Sequence, residues 1–266
     1  MIIQTAIFAG VLALLLGILL AIFRKVFHVE TDVFVSIIRE TLPGANCGAC
    51  GFPGCDGFAA AVAAKEADPG KCTVSDAASA QKRAELVGGK IDPKSYVAVV
   101  ACHGTSDVAL LKGDYTGLKT CRGAKISSGG TKACSWGCMG FGDCVSVCKF
   151  DALSMGQNGL PVIDREKCKG CKVCVSECPQ GIIRIIEKEQ KGTFAFCNNR
   201  NPIKPMVRKT CKAGCGKCGV CAKKCPEQAI VIENGLPVID YSKCKSCGTC
   251  VEACPQKVLQ LLQQTA

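Results

Sequence analysis

The chain of 266 residues contains 24 cysteines, and many of them are separated by only two or three residues. Three chemistries use cysteine at such density: disulfide bridges, zinc sites and iron–sulfur clusters. Disulfide frameworks are typical of small secreted chains, and this chain is not small. Thiols at C-x2-C spacing suit one metal ion or cluster better than a set of structural bridges. The pattern therefore predicts thiolates that bind metal in a reducing compartment.

The first cysteine group surrounds a glycine-rich loop and one predicted helix. Its members are Cys47, Cys50, Cys55 and Cys72. Residues 59–67 are predicted to be helical, and Pro69-Gly70 is expected to end the helix before the last cysteine. Four thiolates at this spacing suit one [4Fe–4S] cluster. A structural zinc site is the alternative, but zinc modules usually pair two C-x2-C knuckles across a longer gap.

A second group ends in a complete ferredoxin run. Residues 168–179 follow the C-x2-C-x2-C-x3-C-P pattern of bacterial two-cluster ferredoxins, in which the fourth cysteine ligates the other cluster. One cluster of this unit is therefore expected to be bound by Cys148, Cys168, Cys171 and Cys174.

The first half of the second group departs from this pattern. Phe141 stands where the second cysteine of the run is expected, and Cys134 lies four residues before Cys138. We expect Cys134 to supply the missing thiolate. The other cluster of the unit is then predicted to be bound by Cys134, Cys138, Cys144 and Cys178.

The third group is regular in both halves, so the same crossing rule applies to it. One cluster is predicted to be bound by Cys215, Cys218, Cys221 and Cys254. The other is predicted to be bound by Cys225, Cys244, Cys247 and Cys250.

The second and third groups form an internal repeat. The sequence GLPVID occurs at 159–164 and again at 235–240, each time at the same distance before a cysteine run. Short apolar stretches at 182–186 and 229–232 predict small strand pairs around the clusters, with a short helix after each fourth cysteine. A zinc alternative is weaker here, because eight cysteines recur with nearly matching connections.

Four cysteines remain outside these groups. They are Cys102, Cys121, Cys197 and Cys211. Four is the number that one more cluster needs, although the chain must fold back to bring them together; buried free thiols are the alternative. Because Cys211 precedes Cys215 by four residues, as Cys134 precedes Cys138, an exchange of roles between Cys134 and Cys211 stays open. The sequence predicts five [4Fe–4S] clusters and leaves a sixth open.

The formal net charge of +11 ordinarily indicates nucleic acid or anionic lipid as a partner. It is weaker evidence here, since six four-iron clusters with their thiolates add about −12. The chain also lacks the interleaved aromatic residues on which bases stack. Lysines around the third group form either a solvated face or a docking patch for an acidic redox protein. They are Lys212, Lys217, Lys223, Lys224, Lys243 and Lys245.

Residues 2–23 carry no charge. As a helix they span about 33 Å, enough to cross a bilayer core of about 30 Å. A cleaved signal peptide is the alternative, but no Lys or Arg precedes the run and no A-x-A site follows it. Arg24 and Lys25 come next, so the positive-inside rule puts the N-terminus outside and the cysteine-rich part in the cytoplasm. We expect a single-pass anchor in a prokaryotic cell membrane.

No arrangement for acid–base or nucleophilic catalysis is predicted, so no catalytic residue is assigned. His103 follows Cys102 and could ligate or hydrogen-bond a cluster, but a surface or structural role is expected for it. The chain has no G-x-G-x-x-G or Walker A sequence, and no nucleotide site is expected on it.

The order of these features resembles one known family. The N-terminal anchor, TLPGANCGACGFPGC at 41–55, CSWGCMGFGDC at 134–144 and the ferredoxin repeats are similar to the B subunit of Rnf complexes, in the long form with extra ferredoxin units. The resemblance covers essentially the whole chain. It implies a membrane complex that moves electrons between reduced ferredoxin and NAD+ and couples this transfer to Na+ or H+ translocation.

The resemblance also implies a role within that complex. The B subunit relays single electrons through [4Fe–4S] clusters and accepts them from soluble ferredoxin, while flavin and NAD lie on partner subunits. A membrane-anchored polyferredoxin serving a hydrogenase or another oxidoreductase is the alternative function. A zinc-rich protein that binds nucleic acid is a third.

The expected fold is α+β. It comprises one N-terminal transmembrane helix, a small and mostly helical [4Fe–4S] module, and two tandem bacterial-type 2[4Fe–4S] ferredoxin-like units. The predicted divisions are an anchor at 1–25, the module at 26–90, a connecting region at 91–133 and ferredoxin-like units at 134–200 and 201–266.

Overall fold

A computed structural model describes residues 2–27, 32–92 and 94–262. The predicted divisions also include residues 1, 28–31, 93 and 263–266, which lie outside the described residues. Helix α1 (Ile2–Val26) is uninterrupted and has Arg24 and Lys25 in its last turn. Its segment Ile7–Val26 is long and apolar enough to cross a membrane, and none of it is buried against the rest of the chain.

A small helical module follows the first helix. It contains α2 (Val33–Glu40), α3 (Cys55–Ala63), a 3-10 turn (Pro69–Lys71) and α4 (Ala77–Leu86). Helices α2 and α3 pack through Ile38, Phe58 and Val62, which are buried. The side chains of Asp32 and Asp76 accept backbone N–H groups at the starts of α2 and α4, which fixes where these helices begin.

Helix α3 lies four residues earlier than the sequence predicted. It begins at Cys55 because the Asn46 side chain accepts the Cys55 backbone N–H at 2.8 Å, satisfying a donor that has no partner within the helix. It ends at Ala63 because Lys65 adopts a left-handed φ of 59°, well before the proline at 69. A site cysteine therefore opens this helix instead of preceding it.

The first ferredoxin-like unit is built from two antiparallel strand pairs. Its elements are β1 (Tyr96–Val100), α5 (Cys121–Ser128), α6 (Asp143–Ser146), β2 (Leu153–Met155), β3 (Pro161–Ile163), α7 (Val173–Glu177) and β4 (Ile183–Glu187). Strands β2 and β3 form a hairpin, and β1 pairs with β4 with Val97 opposite Ile186. The region predicted as a connection thus supplies a strand and a helix around this unit.

The second unit repeats that plan. Its elements are β5 (Thr193–Ala195), α8 (Lys204–Thr210), α9 (Val220–Lys224), β6 (Ile230–Glu233), β7 (Leu236–Ile239), α10 (Thr249–Glu252) and β8 (Leu259–Leu261). Strands β6 and β7 form the hairpin, and β5 pairs with β8. The mixture of an apolar N-terminal helix, a helical module and two strand-paired units confirms the α+β class.

The short helices of the two units precede the fourth cysteine of each run, whereas the sequence placed them after it. Cys178 and Cys225 end α7 and α9 in extended backbone, with ψ of 109° and 114°. Each is followed by a proline, and the residue before a proline is sterically pushed out of the helical region. The chain therefore turns at the fourth cysteine and continues into a strand.

The two units share a hydrophobic core. Val97 and Val99 of β1 pack with Phe194, Phe196 and Leu262 of the second unit. The segments that precede the cysteine runs also meet: Ala109 forms an antiparallel bridge with Cys211, and the backbone N–H of Leu110 donates to the Thr210 carbonyl at 2.9 Å. These contacts bring cysteines from distant parts of the chain together.

Candidate metal centres

Three small and partly open pockets among the described residues are each lined by four cysteines. We call the cysteines set 2 (Cys148, Cys168, Cys171 and Cys174), set 3 (Cys121, Cys138, Cys144 and Cys178) and set 4 (Cys102, Cys134, Cys197 and Cys211).

Three further groups of cysteines complete the arrangement. We call them set 1 (Cys47, Cys50, Cys55 and Cys72), set 5 (Cys215, Cys218, Cys221 and Cys254) and set 6 (Cys225, Cys244, Cys247 and Cys250). In set 1, three of the thiols pack in the core of the module. In set 5, Cys221 lies close to Cys218 and Cys254, and in set 6, Cys250 lies close to Cys225 and Cys244.

The donor sets fit a core larger than one ion. Within the part of the chain that the structure describes, no group of three or more His, Cys, Asp or Glu side chains is arranged to hold a single metal ion, as a tetrahedral zinc site would require. In sets 2, 3 and 4 the four thiols instead line one pocket, and thiolates in sets of four are the ligands of [4Fe–4S] clusters. The residues present therefore fit four-iron clusters.

The four thiols of set 2 line one pocket, as the sequence grouped them, but sets 3 and 4 differ from the sequence grouping. The sequence analysis placed Cys134 with Cys138, Cys144 and Cys178. In the structure, Cys121 lines that cavity and Cys134 lines the cavity of set 4. Cys121 opens helix α5, and its backbone N–H donates to the Asp143 carboxylate at 2.9 Å, next to Cys144. This hydrogen bond holds α5 next to Cys144. Cys121 therefore lies at the site where the run has Phe141 in place of a cysteine.

Set 4 combines equivalent positions of the two units. Cys102 and Cys197 each stand two residues after the first strand of their unit, β1 or β5. Cys134 and Cys211 each stand four residues before a cysteine run. The set therefore takes one matching pair from each repeat and lies where the units meet. The relation between Cys134 and Cys211 is visible in the sequence. The relation between Cys102 and Cys197 depends on knowing where strands β1 and β5 end.

The cysteine runs share one backbone feature. The residue two positions before each third cysteine adopts a left-handed φ and starts a short helix. These residues are Gly142, Lys172, Gly219 and Gly248, with φ of 79°, 65°, 71° and 78°. The left-handed residue interrupts the backbone of the run, so the short helix begins at this turn and not earlier in the run.

The thiols are buried and receive hydrogen bonds. Burial raises the pKa of Cys138, Cys144 and Cys174 to about 12. Since iron binds thiolate, cluster binding at these residues releases protons. The Asn199 side-chain amide donates to the Cys134 sulfur at 3.4 Å, and the Ala98 backbone N–H donates to the Cys168 sulfur at 3.4 Å. Such bonds tune the potential of a bound cluster.

The sets adjoin one another in a fixed order. Cys47 of set 1 lies close to Cys171 of set 2, and Cys174 of set 2 lies close to Cys144 of set 3. The Lys149 ammonium also donates to the carbonyl of Asn46, at 3.3 Å, which ties the module to the first unit. Set 1, which lies in the module, therefore adjoins set 2.

The order continues through the second unit. Cys138 of set 3 lies close to Cys102 of set 4, and the backbone N–H of Cys215 in set 5 donates to the Cys197 sulfur of set 4 at 3.4 Å. Sets 5 and 6 are joined by α9, which carries Cys221 of set 5 and leads directly into Cys225 of set 6. Six cysteine sets therefore form one row from the module to the C-terminal unit.

The far end of the row is the most accessible. Cys247 of set 6 and Cys218 of set 5 are exposed, whereas the other cysteines are buried or half-buried. Five of the six lysines singled out in the sequence are exposed, but Lys217 is buried at 8% exposure and its ammonium reaches the Asn234 carbonyl. Lys217 is therefore not part of a docking patch; its charge lies close to Cys197 instead.

Comparison with known families finds cluster-binding segments at three stretches of the chain. The FeS family model, for an Fe-S cluster, matches residues 42–74, which contain set 1. The Fer4 model, for a 4Fe-4S binding domain, matches residues 161–184 and 237–260. The matched segments hold the complete run of the second group and the final run of the third.

Three relatives share most of the chain. The B subunit of the Na(+)-translocating ferredoxin:NAD(+) oxidoreductase complex from Acetobacterium woodii is 42% identical over 88% of this chain and 70% of its own length. The proton-translocating counterpart from Clostridium ljungdahlii is 39% identical over 88% and 82%. The B subunit of an ion-translocating oxidoreductase complex from Methanosarcina acetivorans is 35% identical over 96% of both chains.

The chain belongs to the family of B subunits of ion-translocating oxidoreductase complexes. The resemblance found in the sequence is therefore confirmed, and so is the role of the chain as an electron-transfer component that carries [4Fe–4S] clusters. Membership also implies that other subunits of a complex surround it. Together with helix α1, membership associates the protein with a membrane.

Proposed function

We propose that this protein holds six [4Fe–4S] clusters in a single row, accepts electrons from soluble ferredoxin at set 6 and delivers them from set 1 to partner subunits. The observation that carries the proposal is the continuous order of the six cysteine sets, with the exposed Cys247 at one end and the module at the other. When bound, a four-iron cluster supplies reversible uptake of one electron.

The ligands of the six clusters are proposed to be the six sets. For set 4, the argument is that its four thiols line one pocket and occupy equivalent positions of the repeat. For set 3, the argument is that Cys121 fills the position that Phe141 leaves without a thiol. The protein contributes the fixed neighbourhood of the sites, the exclusion of water from most of them and the hydrogen bonds to their sulfurs.

The surface of the C-terminal unit favours ferredoxin as the donor. Lys223, Lys224, Lys243 and Lys245 are exposed and flank set 6. Lys245 pairs with Glu227 at 3.0 Å, so part of this charge is balanced within the chain. Basic charge around an exposed site attracts an acidic redox protein and orients it on arrival. Flavin, NAD and the path for the coupling ion are proposed to lie on partner subunits.

The membrane orientation is part of the proposal. Arg24 and Lys25 follow the span, which favours an external N-terminus with the cysteine sets in the cytoplasm. Protease added outside intact cells is expected to leave residues 26–266 whole, and to cut them only after the cells are broken. Cleavage of this part in intact cells would show that the orientation is the opposite one.

The experiment that tests the ligand sets is an iron and acid-labile sulfide count on the full chain, purified without oxygen in detergent. Six clusters predict about 24 iron atoms and five predict about 20. Paired variants then assign Cys134. We expect Cys134→Ala to cost no further iron when Cys197→Ala is already present, because both thiols serve one cluster.

The reverse pairing provides the matched control. Cys134→Ala added to Cys144→Ala is expected to remove about four more irons, because these thiols serve different clusters. If Cys134→Ala instead cost further iron beside Cys197→Ala and none beside Cys144→Ala, the grouping first inferred from the sequence would be right and the proposed sets 3 and 4 would be rejected.

A further inference from the structure

One charged side chain is fully buried beside set 1. Arg83 of helix α4 has 0% exposure and lies over the Phe58 ring, with its guanidinium carbon 5.8 Å from the ring centre. Lys, Arg, Asp and Glu are almost never fully buried unless they are paired, yet among the described residues no carboxylate forms an ion pair with Arg83. A guanidinium that is shielded from water in this way needs a nearby negative charge to offset its lost hydration.

Two of the three guanidinium nitrogens are accounted for by the protein. Nε donates to the Pro69 carbonyl at 2.7 Å. Nη1 donates to the Thr41 carbonyl at 3.2 Å and to the Ser75 hydroxyl at 3.2 Å. These bonds hold the guanidinium plane between the end of α2 and the turn before Cys72.

The third nitrogen, Nη2, is buried and has no hydrogen-bond partner among the described residues. Burial lowers the pKa of Arg83, while the nearby Cys72, Asp76 and Cys50 favour its charged form. Two of these three neighbours are set 1 thiols. An arginine stays protonated in proteins, and a buried donor left without an acceptor is destabilising. The group that would satisfy Nη2 is therefore an anionic acceptor on the side of set 1.

We propose that Arg83 donates an Nη2 hydrogen to a sulfur of the cluster held by set 1 and thereby raises the reduction potential of that cluster. The inference rests on the proposed function only in that set 1 holds a four-iron cluster. Reduction adds one negative charge to the site, and a fixed cation in a water-poor environment stabilises that charge more than it does in solvent. The proton stays on arginine throughout, and only one electron moves, from the neighbouring site at set 2.

The proposed hydrogen bond affects the site at the module end of the row. The end of the row next to helix α1 in sequence has a buried cation, so an electron is stabilised at the site from which partner subunits collect it. Arg83 is thus a positioning and tuning residue; no bond to substrate is made by it.

The test is a potentiometric titration of the full chain, followed by EPR at each potential. The signal that disappears in the Cys47→Ala/Cys72→Ala chain identifies the cluster of set 1. In Arg83→Gln, we expect the ratio of reduced to oxidised cluster at fixed potential to fall about tenfold, equal to about 59 mV for one electron. Arg83→Lys keeps the charge and is expected to fall between. Lys82→Gln, an exposed cation on the same helix, is the control and should leave the titration unchanged.

The outcomes separate the two proposals. If Arg83→Gln retains the iron of set 1 and titrates like the unmodified chain, the role of Arg83 is rejected. If Cys47→Ala/Cys72→Ala loses no iron, the assignment of a cluster to set 1 fails instead.

Arg83 also holds the turn before Cys72, so the Arg83 variants could lose the cluster of set 1. In that event the unmodified chain is labelled with [15N]arginine and studied by ENDOR. A nitrogen coupling in the set 1 signal supports the hydrogen bond, and its absence overturns it.

Discussion

The sulfurs of the six sets differ in their immediate surroundings. The backbone N–H groups of Ala229 and Val258 donate to Cys225 and Cys254, each at 3.4 Å and each from the residue four positions later. Thr193 offers a side-chain hydroxyl 3.3 Å from the Cys250 sulfur. Since an iron-bound sulfur carries no proton, the protein group donates and the sulfur accepts in each of these contacts. Every such bond stabilises the reduced, more negative state.

Thr193→Val is a direct test of one of these bonds. Thr193 is 1% exposed, so the substitution removes the hydroxyl with little change in shape. The bond strengthens when the cluster gains negative charge. If that gain is about 1 kcal/mol, its loss lowers the ratio of reduced to oxidised set 6 cluster at fixed potential about fivefold. An EPR titration measures it.

Thr131→Val is the matched control for this substitution. Its hydroxyl donates to the Met139 carbonyl at 3.3 Å and not to a sulfur. We expect no change in the set 6 signal. An equal shift in both variants would mean that the effect comes from packing and not from the sulfur contact.

At the scale of single residues, the sequence predicts relations that are local or repeated and misses those that depend on the fold. The ferredoxin runs fix which thiols share a loop and which one crosses over, because those relations are local or repeated. The relation between Cys121 and Cys144 is neither: it depends on helix α5 meeting Asp143. Likewise, the burial of Lys217 and Arg83 cannot be recognised from residue type, since basic residues are ordinarily exposed.

At the scale of elements, the repeat predicted hairpins but not the outer strand pairs. Strands β6 and β7 flank a short turn, so apolar stretches separated by turn residues predict them. Strands β1 and β4 are joined by more than 80 residues, and nothing local indicates their pairing. The start of helix α3 was misplaced for a different reason, since the Asn46 cap lies nine residues before the helix and outside the helical pattern.

The contact between β1 and the loop of set 2 makes a prediction about Gly170. This residue lies between Cys168 and Cys171 with φ of 61°, and a Cβ built on it would lie 2.5 Å from the Tyr96 Cβ and 2.7 Å from the Tyr96 carbonyl oxygen. Gly170→Ala is therefore expected to lower the free energy of unfolding by about 3 kcal/mol, from backbone strain and from displacement of the strand.

Gly159→Ala isolates the contribution of the backbone. Gly159 has a similar φ of 72°, but no atom lies within 4 Å of its ideal Cβ. We expect a cost of about 1 kcal/mol. Anaerobic unfolding in guanidinium, followed by cluster absorbance, compares the two. Equal costs would show that β1 does not press on the loop of set 2.

At the scale of the whole molecule, the proposed function depends on the order of the six sets, with one set at each position of the row. Set 4 is the position where this matters most, because its thiols come from both units and its cavity lies at their junction. The sequence supplied the family and its electron-transfer role, but the order of the sets needed the fold, since it depends on contacts between residues far apart in the chain.

Removal of set 4 therefore tests the row as a unit. In a Cys197→Ala/Cys211→Ala chain, reduced ferredoxin is expected to reduce sets 5 and 6 at the unmodified rate, while sets 1, 2 and 3 stay oxidised on that timescale. Freeze-quench EPR follows both groups of signals. Thr210→Val is the control, because it alters the residue next to Cys211 without removing a thiol. If set 1 were still reduced as fast as in the unmodified chain, ferredoxin would deliver electrons on the module side of set 4, and the proposed direction from the C-terminal unit to the module would have to be abandoned.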